Sequence, residues 1–554
     1  MFAEFHPLAG GTDIEADVCI AGAGAAGITL ALALAGSGLH VLLLEGGGLD
    51  FEDEVQALYA GENAGLEYYP LDACRLRYFG GTTNHWGGRS QPLSPWDFAE
   101  RPWVPHSGWP AGLAEELDHY YPRAHEICGL GPFAYSPEVL GRLGAPVPPL
   151  DPERLRYAFW RYSAGRQPRQ PVLFGEDHRE RLRQASNVRV LLHANLTAIR
   201  LDPAARRVAA LEVRSPAGAT ATVRARRHVL ACGGIENARL MLLSDDVEPH
   251  GVGNRHDLVG RFFMEHPDAR CGVLRPSGAA QAAQLFRYHS LDGRTILPGL
   301  HLAPELQAAE GALGCAAGLW FEDDPESPAL ALRDIYRDLA RGRWPGALGR
   351  KLATVLGDLD RLAGDAYWRA ADRVAGTRSA AYRTGLLNIE VELEQAPNPD
   401  SRVTLAGERD ALGLRRARLD WQLTELDKRS LLVFTKAMGA EFARLGLGRV
   451  KVADWLLDGG KAWGGDMHGS FHHLGTTRMA DDPRRGVVDR DCRVHGIDNL
   501  YVATGSVFPT AGPSNPTLTI VALALRLADH LKERLARNTG VPAPRRTAVE
   551  PAGG

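Results

Sequence analysis

The sequence predicts an α/β chain in which one sheet with its helices is gathered from distant segments. Three strand-to-glycine-to-helix units predict it. The first opens with residues 16–21 (ADVCIA), passes through Gly22-Ala23-Gly24-Ala25-Ala26-Gly27 into an Ala/Leu-rich helix reaching about Ala35, and returns as a strand over 40–44 that ends at Glu45. The second is a buried strand over 227–232 (RHVLAC) that runs into Gly233-Gly234 and a helix over 235–244. The third is a strand over 499–503, a turn at Gly505-Ser506 and a long apolar helix over 516–531. Short apolar runs bounded by glycine and followed by helical periods read as buried strands of a mostly parallel sheet.

The first unit carries the most specific chemistry. Gly22 permits a tight turn, Gly24 lets a helix N-terminus approach a pyrophosphate, and Gly27 allows close helix–strand packing. Glu45, twenty-three residues after Gly22, is placed to accept hydrogen bonds from a ribose hydroxyl. This is a Rossmann-like dinucleotide site, and on these residues NAD and FAD both fit. Between the first two units, residues 187–200, 209–214 and 220–226 read as a meander with a turn at Pro216-Ala217-Gly218. Asn195 follows the strand over 188–193.

The intervening regions differ in character. Residues 95–110 are rich in Pro and Trp, 329–375 read as helical, and 387–395 alternate like a strand before Ala396-Pro397-Asn398-Pro399-Asp400. We therefore expect a dinucleotide-binding domain from 1–95, 185–275 and 468–554. A second, substrate-facing domain with an antiparallel sheet and helices is expected from 96–184 and 276–467. The helical stretch has ten Lys/Arg against six Asp/Glu between 328 and 380, interleaved with Tyr336, Trp344, Tyr367 and Trp368. It reads as a solvated amphipathic lid or partner face, with a membrane-surface helix as the alternative. Residues 536–554 read as a disordered tail.

Composition bounds the function. At 554 residues the chain exceeds what one core usually supports. Lys and Arg number 63 against 67 Asp and Glu, so no global field favours nucleic acid and an anionic ligand must be caught by local geometry. The seven cysteines are scattered and form no C-x-x-C pair, which argues against a disulfide framework or a zinc or iron–sulfur site. No metal is expected. The apolar stretch 19–36 is preceded by acids and punctuated by glycine, so no targeting or transmembrane segment is read, and a cytoplasmic, reducing location is expected.

Further motifs occur in a fixed order: FGGTTNHWGG at 79–88, SGWP at 107–110, LACGGIENARLML at 230–242, VGRFFMEHP at 259–267, EQAPNPDSRVTL at 394–405, HHLGTTRM at 472–479 and GPSNPTLT at 512–519. With GAGAAG and Glu45, this set resembles the glucose–methanol–choline (GMC) flavoprotein oxidoreductases over nearly the whole chain. The T-N-H-W segment and the NPTLT ending are most similar to the branch of pyranose oxidases, fructose dehydrogenases and glycoside 3-dehydrogenases. The resemblance, and not composition, implies FAD over NAD. It implies oxidation of a secondary hydroxyl of a sugar or glycoside, or alternatively of a non-sugar alcohol or polyol. It implies oxygen, a quinone or a partner redox protein as electron acceptor.

The resemblance also assigns roles. His472 occupies the position of the base that takes the hydroxyl proton, a task that imidazole suits near neutral pH. His473 would point elsewhere in an extended segment. Asn515 occupies the position of the asparagine that orients the alcohol oxygen, and it also reads as the N-cap of a helix with Pro516 in its first turn. Contacts to the cofactor are implied for Gly81, Thr82, Thr83, Asn84 and His85, for Asn195 and Gly233, and for Gly505, Ser506, Pro516 and Thr517. In pyranose oxidases the residue matching His85 bears a covalent flavin link; here the expectation is non-covalent FAD.

Overall fold

In the computed structural model, the residues described are all except 6–11, 168–169, 277–284, 323–327, 341, 343, 361, 364–365, 367–369, 371–385, 460–461 and 538–554. The first sheet is built as the three units require. Strands Phe2–Glu4, Val188–Leu192, Val41–Leu44, Thr12–Ala21 and Thr220–Leu230 lie side by side in parallel, with Leu500–Val502 parallel to the last. Ala21 pairs with both Leu44 and Leu230, and Leu230 with Val502, so the carboxyl ends of four strands stand level. Ligands of open α/β sheets sit outside such ends.

The helix Ala25–Leu34 is buried over most of its surface, as its nearly all-apolar sequence demands, and it packs between the sheet and the helix Thr517–Arg537. One expectation changes: residues 220–226 and 227–232 form a single strand, Thr220–Leu230. Its first half pairs with Val208–Arg214 on one side while its whole length pairs with Thr12–Ala21 on the other, so no break is needed between meander and buried strand.

The second sheet is antiparallel throughout. Its order is Gly448–Val452, Pro267–Pro276, Leu386–Leu393, Cys315–Glu322, Arg294–Leu302, Leu155–Tyr162 and Arg89–Ser90. The helix Glu425–Arg444 covers it, burying Leu431, Phe434 and Met438 with Ile389 and Val391. A small third sheet, Arg402–Arg409, Arg415–Asp420 and Glu62–Asn63, lies against the helix Gly234–Leu243. Its Val403, Ala417 and Leu419 join the core of the first sheet, as do Leu113, Leu117 and Tyr121.

Within the basic stretch the described residues include the helices Pro328–Ala340 and Leu348–Gly357, which bury Ala331, Ile335 and Val355 and expose Leu332, Tyr336, Leu339, Leu352 and Leu356. Tyr367 and Trp368, and the expected tail from 538 onward, lie outside the described residues. Ala536 and Arg537 still belong to the last helix. No helix among the described residues is long and apolar enough to cross a membrane.

Candidate active site

A cavity of about 590 Å³ opens where the level strand ends meet the glycine turns. Its walls include Gly22, Gly24, Glu45, Asn195 and Gly233 together with His472 and Asn515, so the dinucleotide cradle and the candidate base share one space. The glycines divide by task. A Cβ on Gly22 would fall 2.5 Å from the Ala231 carbonyl, and one on Gly27 would fall 1.9 Å from the carbonyl of Gly22. Both are required by packing, and Gly22 also takes φ = 102°. A Cβ on Gly24 would meet nothing within 4 Å and would stand in open cavity. That free volume, at the N-terminus of Ala25–Leu34, is where a bound pyrophosphate would fit.

Glu45 is buried, and its carboxylate accepts hydrogen bonds from the N–H groups of Ala23 and Gly47, both at 3.0 Å. It holds the turn as well as facing the cavity. Burial raises its pKa against the pull of those N–H groups and of Arg77. Asn195 Oδ1 accepts from Arg77 at 3.1 and 2.8 Å, and Arg77 stands with Arg75 and Arg239 around the buried Glu236. The three guanidinium groups outweigh burial and bring Glu236 down to about 2.

The segment 79–88 crosses the cavity as a short 3₁₀ turn, Gly81–Asn84, entered through Gly80 at φ = 104°. Gly81, Thr82, Thr83 and His85 line the cavity, and His85 stacks on Phe471 with ring centroids 6.0 Å apart. Asn84 does not line it: its amide donates to the Phe79 carbonyl at 2.9 Å and closes the turn on itself. Ser506 is a second correction. Fully buried, its hydroxyl is engaged by Thr477 at 2.6 Å and Thr504 at 2.7 Å, while Gly505, Pro516 and Thr517 do reach the cavity.

His472 and His473 both border the cavity, but their rings have different partners. Glu265 positions both. Its Oε2 accepts the backbone N–H groups of Ser470 at 3.1 Å and His472 at 3.0 Å, and Tyr68 donates to its Oε1. Burial pushes Glu265 up to about 7, opposed by those donors. His473 Nε2 lies 2.9 Å from the Tyr68 hydroxyl. The His472 ring instead meets His266, Nδ1 to Nδ1, at 2.9 Å, with Glu392 Oε1 3.8 Å from the same nitrogen. Its Nε2 has no partner among the described residues. Burial, reinforced by His266 and Arg89, holds the His472 pKa well below the ordinary histidine value, so the ring is neutral at pH 7.

Asn515 stands one residue before the position that caps the helix. The Pro516 carbonyl accepts the first intrahelical bond, from Ile520, and the Asn515 side chain does not cap. Its Oδ1 accepts from Arg89 Nε at 3.1 Å and its Nδ2 donates to Glu392 Oε1 at 3.0 Å. Because arginine only donates and a carboxylate only accepts, the amide orientation is fixed, with one N–H left over. Arg89 and Glu392 are joined directly.

Arg89, Glu392 and His266 carry no role in the sequence reading. The alternation of 387–395 puts Glu392 on a strand face, and His266 lies in the segment VGRFFMEHP at 259–267, yet neither shows what it touches. His266, Glu392 and His472 also offer three ligand-type atoms within 4.8 Å of one another. The 2.9 Å between the two Nδ1 atoms is a hydrogen-bond distance.

Residues 397–524 match the family model described as GMC oxidoreductase. The chain is 25% identical to the fructose dehydrogenase large subunit of Gluconobacter japonicus, covering 93% of this chain and 97% of that one. It is 28% identical to paromamine 6'-oxidase of Streptomyces fradiae, over 92% and 90%. The crystal structure of formate oxidase superposes with a TM-score of 0.54 at 18% identity, covering 95% of this chain and 99% of that one, which bears on the fold.

Proposed function

We propose, from the premise that this chain is a GMC oxidoreductase acting on CH–OH groups, that it oxidises a secondary hydroxyl of a sugar or glycoside to the ketone with FAD as cofactor. The observation that carries this reading is a neutral imidazole with a free Nε2, beside an oriented amide, in the same cavity as the glycine cradle. FAD held there supplies the acceptor for the hydride that leaves the carbinol carbon.

The residues of the chain do the rest. His472 Nε2 takes the hydroxyl proton as the carbonyl forms. The remaining N–H of Asn515 donates to the same oxygen, and the Arg89–Glu392 pair keeps that amide from rotating. Phe471 and His85 face the cavity from one side. The sugar preference follows the fructose dehydrogenase relative, which matches over 93% of this chain. The cofactor is held without a covalent link at His85, so acid precipitation leaves the yellow colour in the supernatant.

Anaerobic mixing with a panel of sugars, glycosides and simple alcohols tests the reading by the loss of flavin absorbance near ~450 nm, a band of the cofactor itself. Bleaching by sugars is expected; bleaching by simple alcohols alone would sink the sugar assignment. Reoxidation by oxygen, a quinone or a redox protein then identifies the electron acceptor.

A further inference from the structure

We infer that His266 sets the tautomer of His472, and so leaves Nε2 of His472 as the lone-pair nitrogen that meets the substrate hydroxyl. The inference rests on the proposed role of His472 as base and adds a positioning residue to it.

Neutral histidine has one N–H and one bare nitrogen, and a backbone carbonyl can only accept. His266 Nε2 lies 2.7 Å from the carbonyl oxygen of Gly512, so the proton of His266 is on Nε2 and its Nδ1 is bare. His266 Nδ1 lies 2.9 Å from His472 Nδ1, and two bare nitrogens do not hold that distance. The proton between them therefore belongs to His472 Nδ1, which leaves its Nε2 unprotonated in the neutral ring. The reverse assignment would leave His266 Nε2 bare against a carbonyl oxygen, two acceptors in contact in a buried place.

The surroundings agree. Full burial drives His266 down to about 4, so it is neutral and cannot act as a second cation. Glu392 Oε1, 3.8 Å from His472 Nδ1, faces the same N–H and opposes its loss. The Gly512 carbonyl is itself held in place. Gly512 takes φ = 58°, its N–H donates to Glu394 at 3.4 Å, and Glu394 is clamped by Arg101 through both oxygens. A hydrogen-bonded line thus runs from the Arg101–Glu394 pair through Gly512 and His266 to His472. After the base has taken the hydroxyl proton on Nε2, its Nδ1–H still donates to His266, so the contact serves the ring in both protonation states.

The test reads the tautomer directly. In the holoenzyme labelled with [¹⁵N]histidine, two-bond ¹⁵N–¹H spectra separate rings protonated on Nδ1 from those protonated on Nε2, and the His472 signal is identified by its loss in His472→Ala. The expected result is an Nδ1–H ring in the wild type and a shift toward Nε2–H in His266→Leu. With the sugar of the panel that bleaches fastest, His266→Leu should slow anaerobic reduction at least ~10-fold with half-saturation nearly unchanged. His266→Asn, which restores an acceptor in place of Nδ1, should recover both readouts. A wild-type His472 carrying its proton on Nε2 would overturn the inference, as would a His266→Leu enzyme with unaltered tautomer and rate, or a His266→Asn enzyme as slow as His266→Leu. If no sugar bleaches the flavin, the functional reading fails while the wild-type spectrum still decides the tautomer.

Discussion

In the proposed reaction Asn515 and His472 divide the handling of one alcohol oxygen, and single substitutions separate their contributions. Removing the imidazole with His472→Ala should slow flavin reduction at least ~100-fold, because a positioned base is worth 10²–10⁴ in rate. The cofactor should stay bound, since the cradle at Gly22–Gly27 owes nothing to that ring; equal rates for mutant and wild type would remove His472 from the chemistry. Asn515→Asp is harsher than a loss of one donor. Asn515 Nδ2 donates to Glu392 Oε1 at 3.0 Å, so an aspartate there faces a second carboxylate across a hydrogen-bond distance, and the two must share a proton or part. We expect reduction slowed by about 2 kcal/mol or more, the scale of one oriented donor, with FAD content retained. The helix should not lose its cap, because Asn515 does not provide one. Near wild-type reduction by Asn515→Asp would take the amide out of the mechanism.

At the scale of the element, the turn from Ala21 into the helix Ala25–Leu34 contains glycines that look alike in sequence and differ in consequence. Gly24→Val places its side chain in open cavity, so the protein should fold with little change in melting temperature and be purified colourless. Gly27→Ala forces a Cβ toward the Gly22 carbonyl, where only backbone can move, and should lower the melting temperature markedly while the fraction that folds keeps some cofactor. Absorbance per mole of protein and thermal melts of the two variants check both statements. A yellow Gly24→Val at full stoichiometry would contradict the cradle.

Across the whole molecule, the Arg101–Glu394 pair joins distant segments with both side chains fully covered. Arg101 comes from the segment beside the first core, Glu394 from the end of the strand Leu386–Leu393 region of the second sheet, and Gly512 from the loop before the last helix. Glu394→Ala leaves a buried guanidinium alone and should cost about 3–5 kcal/mol, whereas replacing both partners by apolar residues of similar volume should cost much less. Burial acts to raise the Glu394 pKa, but Arg101 outweighs it and holds the carboxyl below its usual range. A depressed pKa stabilises the fold above the ordinary carboxylate value, and that contribution is lost as pH falls through the folded one. Acid melts should therefore show the wild type losing stability relative to the double replacement as pH falls through the carboxylate range; parallel curves at all pH values would refute the assignment.

Local sequence determined the strand–turn–helix units, because Gly22 takes a positive φ, the buried helix Ala25–Leu34 needs a nearly all-apolar sequence, and both demands are written in adjacent residues. It did not place His473, which borders the same cavity as His472 while its Nε2 turns to the Tyr68 hydroxyl. Where a polar side chain turns was not so written. Asn84 closes its own turn and Ser506 bonds to Thr477, although each sits in a stretch that borders the cavity. The partners that make His472 and Asn515 specific come from far along the chain: Arg89 lies 426 residues from Asn515, Glu392 lies 123 from it, and His266 lies 206 from His472. No periodicity carries such pairings, because a hydrogen bond between distant segments depends on how the two sheets meet. The identity of the candidate base was legible in sequence; which of its nitrogens is free follows only from a carbonyl, at Gly512, that the tertiary structure brings to His266.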